Sequence, residues 1–178
     1  YHAQPIGCHD CGPKLNLLDN RGIKVEVITN EIEKTIELLN EGKIIALKGL
    51  GGYHLVCDAT NKSAIQELRI RKKRPTKPLA VMVRDINMAK VLALISPKEE
   101  ELLVSQERPI VVVQMKDEYS SDIAPGISKI GLFLPYTPLH FLLLDKLSFP
   151  LVATSANITD EPICTNFESL EKLQNVYD

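Results

Sequence analysis

The sequence predicts an α/β protein with a mixed, twisted β-sheet and flanking helices. Short apolar segments of strand length alternate along the chain with longer segments that begin at helix-capping residues. Hydrophobic residues make up 44% of the 178 residues and charged residues 25%, a balance that supports one sizeable core. The sequence has no internal repeat and no low-complexity segment, so one main domain accounts for most of the chain.

Strands are predicted where apolar side chains alternate with polar ones or run together. Residues 24–28 alternate, whereas residues 43–47 and 151–153 are short apolar runs typical of strands that are buried on both faces. The predicted strands, in chain order, cover residues 24–28, 43–47, 79–83, 109–115, 131–134 and 151–153. Such short strands separated by helices favour the α/β class.

Helices are predicted where a capping residue precedes an apolar stripe. Ser96 is followed by Pro97 and then by Glu99, which is the spacing of a capping box with proline in the first turn. The other N-terminal signals are Asn30 with Glu33, Thr137 with Pro138, and Thr165 with Glu168. The predicted helices run from 30 to the glycine at 42, over 63–72, over 85–94, from 96 onward, over 137–147 and from 165 onward.

The overall charge and the cysteine content exclude several classes of protein. The chain carries 21 basic and 23 acidic residues, so its formal net charge is −2, which argues against a globally basic nucleic-acid-binding protein. No stretch reaches the ~18 consecutive apolar residues of a membrane span, and no signal-peptide pattern opens the sequence. Four cysteines do not form a disulfide framework, so the expected location is the cytoplasm.

Cys8 and Cys11 form a CxxC pair near the first residue. Two thiolates at this spacing are half of a structural zinc site, which needs four ligands, and the other two cysteines are single and distant. We therefore expect residues 1–20 to be the remnant of a zinc finger whose other pair is absent from the chain, and residues 21–178 to be the main domain. A redox-active pair and an ordinary turn are the alternatives.

A basic cluster lies at the end of the second predicted helix. The helix dipole accounts for one or two cations there, and the remaining ones suit a polyanion, either a triphosphate or a nucleic-acid backbone. A solvated surface is the alternative. The members of the basic cluster are Arg69, Arg71, Lys72, Lys73, Arg74 and Lys77.

A glycine-rich run between Lys48 and His54 follows a predicted strand. Glycine permits close backbone approach and positive φ, but the spacing is neither that of a Walker loop nor that of a dinucleotide fingerprint. The run therefore either holds a ligand, which Lys48 and His54 would then face, or forms a structural turn. His140 lies in a predicted apolar helix, where a core or capping role is expected.

The turn formed by residues 154–157, Thr-Ser-Ala-Asn, follows the last predicted strand. In α/β sheets ligands collect beyond the carboxyl ends of strands, which is where Thr154, Ser155 and Asn157 are expected. Hydroxyl and amide groups can bind phosphate or sugar oxygens without adding charge. A local turn stabilised by the same side chains is the alternative.

Taken together, these segments resemble the YrdC-like nucleotide-binding family. Residues 72–79 resemble its KxR element with the following prolines, and the Thr-Ser-Ala-Asn turn resembles its Ser/Thr-Ala-Asn element. Other segments are similar to the HypF family of hydrogenase-maturation carbamoyltransferases, in which a YrdC-like domain follows two zinc fingers. These segments are residues 1–6, the Cys-Gly-Pro at 11–13, and residues 48–55, 108–111 and 134–140.

The resemblance implies an adenylating reaction within a carbamoyltransferase. Such a domain combines ATP and Mg²⁺ with a carbamoyl unit, from carbamoyl phosphate or carbamate, into carbamoyl-adenylate. The intact protein would bind Zn²⁺ and pass the carbamoyl group to a HypE-like acceptor protein. By the same resemblance, Lys72 and Arg74 would hold phosphates, Thr154, Ser155 and Asn157 would orient the nucleotide, Lys48 and His54 would contact the carbamoyl substrate, and Cys8 and Cys11 would bind zinc.

Two departures from the wider family bear on the substrate. Gly49 replaces a threonine of the PTxTxYGL element, and Phe133 stands where tRNA-modifying relatives carry an arginine. Both changes count against a threonine substrate. A threonylcarbamoyl-adenylate synthase is still the nearest alternative enzyme, and a double-stranded RNA-binding module is the alternative from another class.

Overall fold

The computed structural model describes residues 12, 14–116, 122–158 and 161–178. Within these residues seven strands form a sheet in the order β1-β2-β7-β3-β6-β5-β4. The strands are β1 (Ile45–Lys48), β2 (Tyr53–Asp58), β3 (Ala80–Met82), β4 (Ala93–Leu94), β5 (Val111–Met115), β6 (Lys129–Phe133) and β7 (Leu151–Ser155). Among them β3 and β6 pair in parallel, while the other neighbouring strands pair antiparallel. The predicted mixed sheet with flanking helices is confirmed.

Six helices flank the sheet in the described part of the chain. They are α1 (Glu31–Asn40), α2 (Lys62–Arg71), α3 (Ile86–Leu92), α4 (Pro97–Val104), α5 (Pro138–Lys146) and α6 (Phe167–Glu171). The caps predicted at Asn30, Ser96 and Thr137 are confirmed, because each side chain accepts a hydrogen bond from a backbone N–H of the first turn. The prediction for the last helix is wrong by one residue: Asn166 rather than Thr165 is its cap, and Asn166 accepts from the Ser169 N–H.

The predicted strand at residues 24–28 is wrong. Lys24 makes only an isolated antiparallel bridge with Leu18. Ile28 is fully exposed, so the apolar side chains of the alternating pattern do not form a buried face. Alternation alone predicts a strand only where a neighbouring strand and a core are available.

Two strands were not predicted, and both depend on distant partners. β2 follows the glycine-rich run and pairs with β7, with Val56 opposite Ala153. β4 is the end of the segment predicted as helix 85–94, and Ala93 pairs there with Met115 of β5. In both cases pairing across the sheet decides the conformation of a sequence whose local pattern is ambiguous.

The helices bury two different faces of the sheet. On the α2 face, α2 packs against the cluster that contains Leu55, Val81 and Val152. On the α5 face, α1 and α5 lie in contact and cover the cluster that contains Val56, Leu143 and Leu151. Because successive residues of a strand point to opposite faces, each side chain of the candidate site can be assigned to one face. None of the described helices is long and apolar enough to cross a membrane.

Candidate functional site

The basic cluster and the Thr-Ser-Ala-Asn turn are in direct contact. The Lys72 ammonium donates to the Ser155 carbonyl at 2.6 Å, to the Asn157 carbonyl at 3.1 Å and to Asn157 Oδ1 at 2.9 Å. Arg74 Nη1 donates to Thr154 Oγ1 at 2.8 Å, and its Nη2 donates to the Pro78 carbonyl at 2.7 Å. Two segments about 80 residues apart in the sequence therefore form one polar site at the end of β7.

The end of α2 directs these two cations toward β7. The Lys73 N–H donates to the Ile70 carbonyl and the Arg74 N–H donates to the Arg69 carbonyl, the two hydrogen bonds of a Schellman motif. Lys73 occupies the left-handed position of this motif, with a φ of 52°, where glycine is the usual residue. The reversal of the chain at Lys73 places Lys72 and Arg74 on either side of the turn, within reach of β7.

Two members of the basic cluster serve the fold instead of a ligand. Arg69 is 8% exposed, and its guanidinium donates to the carbonyls of Asp122, Ile123, Arg74, Pro75 and Lys77. Arg71 forms ion pairs with Glu67 at 2.7 Å and with Asp178 at 3.0 Å. The sequence predicts that one or two cations of the cluster have a structural role and that the rest suit a polyanion; in the structure two of them, Arg69 and Arg71, are engaged by tertiary contacts.

Burial makes the positive charges of Lys72 and Arg74 energetically costly. Burial, together with the charges of Arg74 and Lys77, lowers the pKa of Lys72 to about 8. Burial, with the charge of Arg69, also lowers the pKa of Arg74. Among the described residues nothing accepts a hydrogen bond from the buried Arg74 Nε. A polyanion at this site would relieve both the mutual repulsion of the cations and this unmet hydrogen bond.

The Thr-Ser-Ala-Asn turn presents its side chains on different sides of the sheet. Thr154 is 6% exposed and lies on the α2 face, where Arg74 binds it. Ser155 lies on the α5 face and donates from its hydroxyl to Asn157 Oδ1 at 2.8 Å. Asn157 in turn donates to the carbonyls of Ile158 and Glu161. The turn is thus ordered by the same side chains that were predicted to orient a nucleotide.

The glycine-rich run forms the turn between β1 and β2. Gly52 has a φ of 154°, and a Cβ there would lie 2.7 Å from the Cys164 carbonyl oxygen, so only glycine fits. Gly49 donates its N–H to the Gly52 carbonyl at 2.8 Å, and a Cβ at Gly49 would lie 3.1 Å from His54 Nδ1. The run is therefore a structural turn, and its first glycine also makes room for the His54 ring.

The structure does not bring Lys48 and His54 together. Lys48 lies opposite Tyr53 in the pairing of β1 with β2. The Lys48 ammonium lies 4.9 Å from the centre of the Tyr53 ring and donates to the Thr165 carbonyl. His54 is the next residue after Tyr53 and therefore points to the opposite face, the α5 face, across from Ser155. The expectation that both side chains face one ligand is corrected, because the sheet lies between them.

His140 and Tyr136 were not predicted as site residues from the sequence. His140 is 2% exposed in the first turn of α5, which confirms the expected buried position. Its ring lies edge-on to Tyr136, with ring centres 4.7 Å apart. The segment 134–140, which carries the family resemblance, could have indicated a site role for these residues. The apolar pattern of the helix instead predicted an ordinary core position for His140.

The predicted zinc ligands Cys8 and Cys11 lie outside the described residues. Within the described part of the chain, no group of three or more metal-ligating side chains is found. The other cysteines, Cys57 and Cys164, are free and buried, and burial raises the pKa of the Cys57 thiol to about 12. A buried thiol of this kind is inert, which suits a core residue.

Comparisons with known proteins agree with this architecture. The family model described as "Telomere recombination", that of Sua5, YciO and YrdC, matches residues 37–178, and the model described as "HypF finger" matches residues 1–18. Carbamoyltransferase HypF of Rhodobacter capsulatus is 44% identical over 179 residues, which cover 100% of this chain and 24% of that protein. Threonylcarbamoyl-AMP synthase of Bacillus subtilis is 27% identical over 150 residues, 80% of this chain and 43% of that protein.

The fold comparison leads to the same group of proteins. The crystal structure of full-length HypF in the phosphate- and nucleotide-bound form superposes with a TM-score of 0.88 at 43% identity, over 100% of this chain and 23% of that one. This chain thus spans about a quarter of the length of the HypF proteins it matches. The chain belongs to the Sua5/YciO/YrdC family, in the form that this family takes within HypF proteins, and its residues 1–18 match the HypF finger.

Proposed function

We propose that this domain binds ATP and forms carbamoyl-adenylate, as one part of a HypF-like carbamoyltransferase in hydrogenase maturation. The observation that carries the proposal is the contact of Lys72 with Ser155 and Asn157, and of Arg74 with Thr154. This contact joins two cations to hydroxyl and amide groups at the end of a strand, an arrangement that suits a nucleotide triphosphate. The solved HypF relative that holds phosphate and nucleotide supports it.

In the proposed reaction an oxygen of the carbamate unit attacks the α-phosphorus of ATP. The bond from that phosphorus to the bridging oxygen breaks, and pyrophosphate leaves with the electron pair. The protein contributes position and charge rather than covalent chemistry. Hydrolysis of carbamoyl phosphate would supply the carbamate unit: water cleaves the carbamoyl–phosphate linkage, and inorganic phosphate leaves.

Each cation has a distinct role in this proposal. Three hydrogen bonds engage the three ammonium protons of Lys72, so this residue orders the turn and acts on phosphates through its charge. Arg74 keeps a buried Nε without a partner in the described residues, and it is our candidate for direct phosphate contact. Thr154, Ser155 and Asn157 would orient the nucleotide, and His54 the carbamate unit. Lys48 lies on the α2 face, the face of Arg74 and Thr154, so it would act on a different part of the substrate from His54.

The fold family implies three bound groups, ATP, Mg²⁺ and Zn²⁺, and different parts of the chain would bind them. The cationic, partly buried pair Lys72 and Arg74 fits the triphosphate of ATP. Mg²⁺ takes oxygen ligands and usually binds substrate phosphates, so the phosphates would supply most of its ligands here. Cys8 and Cys11 would bind Zn²⁺ in the intact protein together with a second cysteine pair, and a HypE-like protein would accept the carbamoyl group.

Isotope exchange between labelled pyrophosphate and ATP in the full-length protein tests the proposal. We expect exchange that depends on carbamoyl phosphate, and an at least tenfold loss in Arg74→Gln. Lys98→Gln, which removes an exposed cation of α4 outside the basic cluster, is the matched control and should retain activity. Exchange that requires threonine and bicarbonate instead would favour a threonylcarbamoyl-adenylate synthase. Salt-sensitive duplex RNA binding without any exchange would favour the RNA-binding alternative.

A further inference from the structure

His140 and His54 both lie on the α5 face of the sheet, to which Ser155 of the Thr-Ser-Ala-Asn turn also points. His54 lies on β2 between Leu47 of β1 and Ser155 of β7, and all three point to the α5 face. His140 lies in the first turn of α5, the helix that covers this face. The charge of His54, when that ring is protonated, contributes to lowering the pKa of His140.

The buried ring of His140 has an unmet hydrogen bond. The residue is 2% exposed, yet its Nδ1 has no hydrogen-bond partner among the described residues. Buried polar atoms without a hydrogen-bond partner are rare in native proteins, and a role in binding or catalysis is one explanation for them. The Tyr136 ring stands edge-on at 4.7 Å, with Phe133 behind it at 6.2 Å, so the His140 ring is held in position by aromatic contacts.

Both imidazoles are neutral at physiological pH. Burial lowers the pKa of His54, and burial together with the charge of His54 lowers the pKa of His140 to about 4. A neutral imidazole offers one donor and one acceptor, so it can bind either an N–H or a carbonyl oxygen. A planar group that carries both, such as a carbamoyl group, matches this pair. Lys48, the cation nearest to His54 in sequence, lies on the other face of the sheet.

We propose that His140 is a further substrate-binding residue, which together with His54 holds the carbamoyl unit on the α5 face beside Ser155. The inference rests on the function proposed above and names the substrate pocket of the same site. Gly49 supports it, because the absent side chain leaves the space that the His54 ring occupies. The aromatic and imidazole lining would suit a small planar group.

The test compares His140→Leu with His140→Asn in the full-length protein. Leucine removes the polar atom, whereas asparagine places one near the position of Nδ1. We expect His140→Leu to raise the KM for carbamoyl phosphate in the pyrophosphate exchange at least tenfold and to change the KM for ATP less than twofold. His140→Asn should recover part of the loss. Phe141→Leu, at the neighbouring exposed position, is the control.

Two outcomes would overturn the inference. One is a KM for carbamoyl phosphate that His140→Leu leaves unchanged. The other is an equal loss for both substrates that asparagine does not restore, which would indicate a purely structural residue. Equilibrium binding of labelled carbamoyl phosphate with a non-hydrolysable ATP analogue separates this inference from the proposed reaction. If wild-type exchange fails but binding still depends on His140, the reaction is wrong and the pocket stands; if exchange occurs without that dependence, the pocket is wrong.

Discussion

The ammonium group of Lys72 lies 2.6 Å from the carbonyl oxygen of Ser155, although 83 residues separate them in the sequence. This contact joins the end of α2 to the end of β7. Because the same ammonium also binds Asn157, it orders the turn whose side chains face the proposed nucleotide. The position of one lysine therefore links the geometry of the site to its charge.

The protonation of Lys72 should couple ATP binding to pH. Its pKa is lowered to about 8 in the free protein, chiefly by burial, and the negative charge of bound phosphates would raise that pKa. ATP binding should therefore take up about half a proton at pH 8, and the affinity should fall as the pH rises above about 8. Titration calorimetry at pH 8 in buffers of different ionisation enthalpy measures the uptake. An unchanged uptake in Lys72→Met would contradict this assignment.

Replacing Lys73 with glycine should stabilise the fold. Lys73 adopts a φ of 52°, and the left-handed conformation costs an L-residue about 1 kcal/mol relative to glycine. Lys73→Gly should raise the free energy of unfolding in urea by about 0.5–1 kcal/mol. Lys73→Ala removes the same charge but keeps a Cβ, so it serves as the control and should not gain stability. Equal gains in both variants would show that charge repulsion, not backbone strain, is relieved.

The glycine-rich run should tolerate alanine at one position and not at another. Gly52 has a φ of 154° and approaches the Cys164 carbonyl oxygen, whereas a Cβ at Gly51 would meet nothing within 4 Å. Gly52→Ala should therefore lower the free energy of unfolding by about 2 kcal/mol, and Gly51→Ala should change it by less than about 0.5 kcal/mol. Urea denaturation of both variants decides the matter, and similar stabilities would refute the turn geometry.

Arg69 should matter for stability more than any surface cation of the basic cluster. Its buried guanidinium satisfies five carbonyls of the loops around α2, so Arg69→Met should lower the free energy of unfolding by about 3 kcal/mol or more. Arg71→Met, which removes two ion pairs at the surface, should cost about 1 kcal/mol or less. Thermal melts of the two variants provide the check. A smaller loss for Arg69→Met than for Arg71→Met would reverse our assignment of structural roles.

Much of the fold follows from the sequence by itself. The caps at Asn30, Ser96 and Thr137 are local signals, because a helix N-terminus needs a side-chain acceptor within three residues. The apolar run at 151–153 predicted β7 for a similar reason, since such a short run is typical of a strand that is buried on both faces. The motifs at 72–79 and 154–157 also marked the candidate site before any contact was known.

Only the tertiary structure decided which residues of the site act together. Lys48 and His54 are close in the sequence, but strand alternation across the β1–β2 turn places them on opposite faces. Arg69 and Lys72 belong to one basic cluster, yet one binds loop carbonyls in the core and the other binds the end of β7. His140 is buried because α5 packs it against the α5 face of the sheet, which also carries His54. Local sequence determines which conformations and charges a segment can offer, whereas long-range packing determines which face, partner and degree of burial each side chain receives.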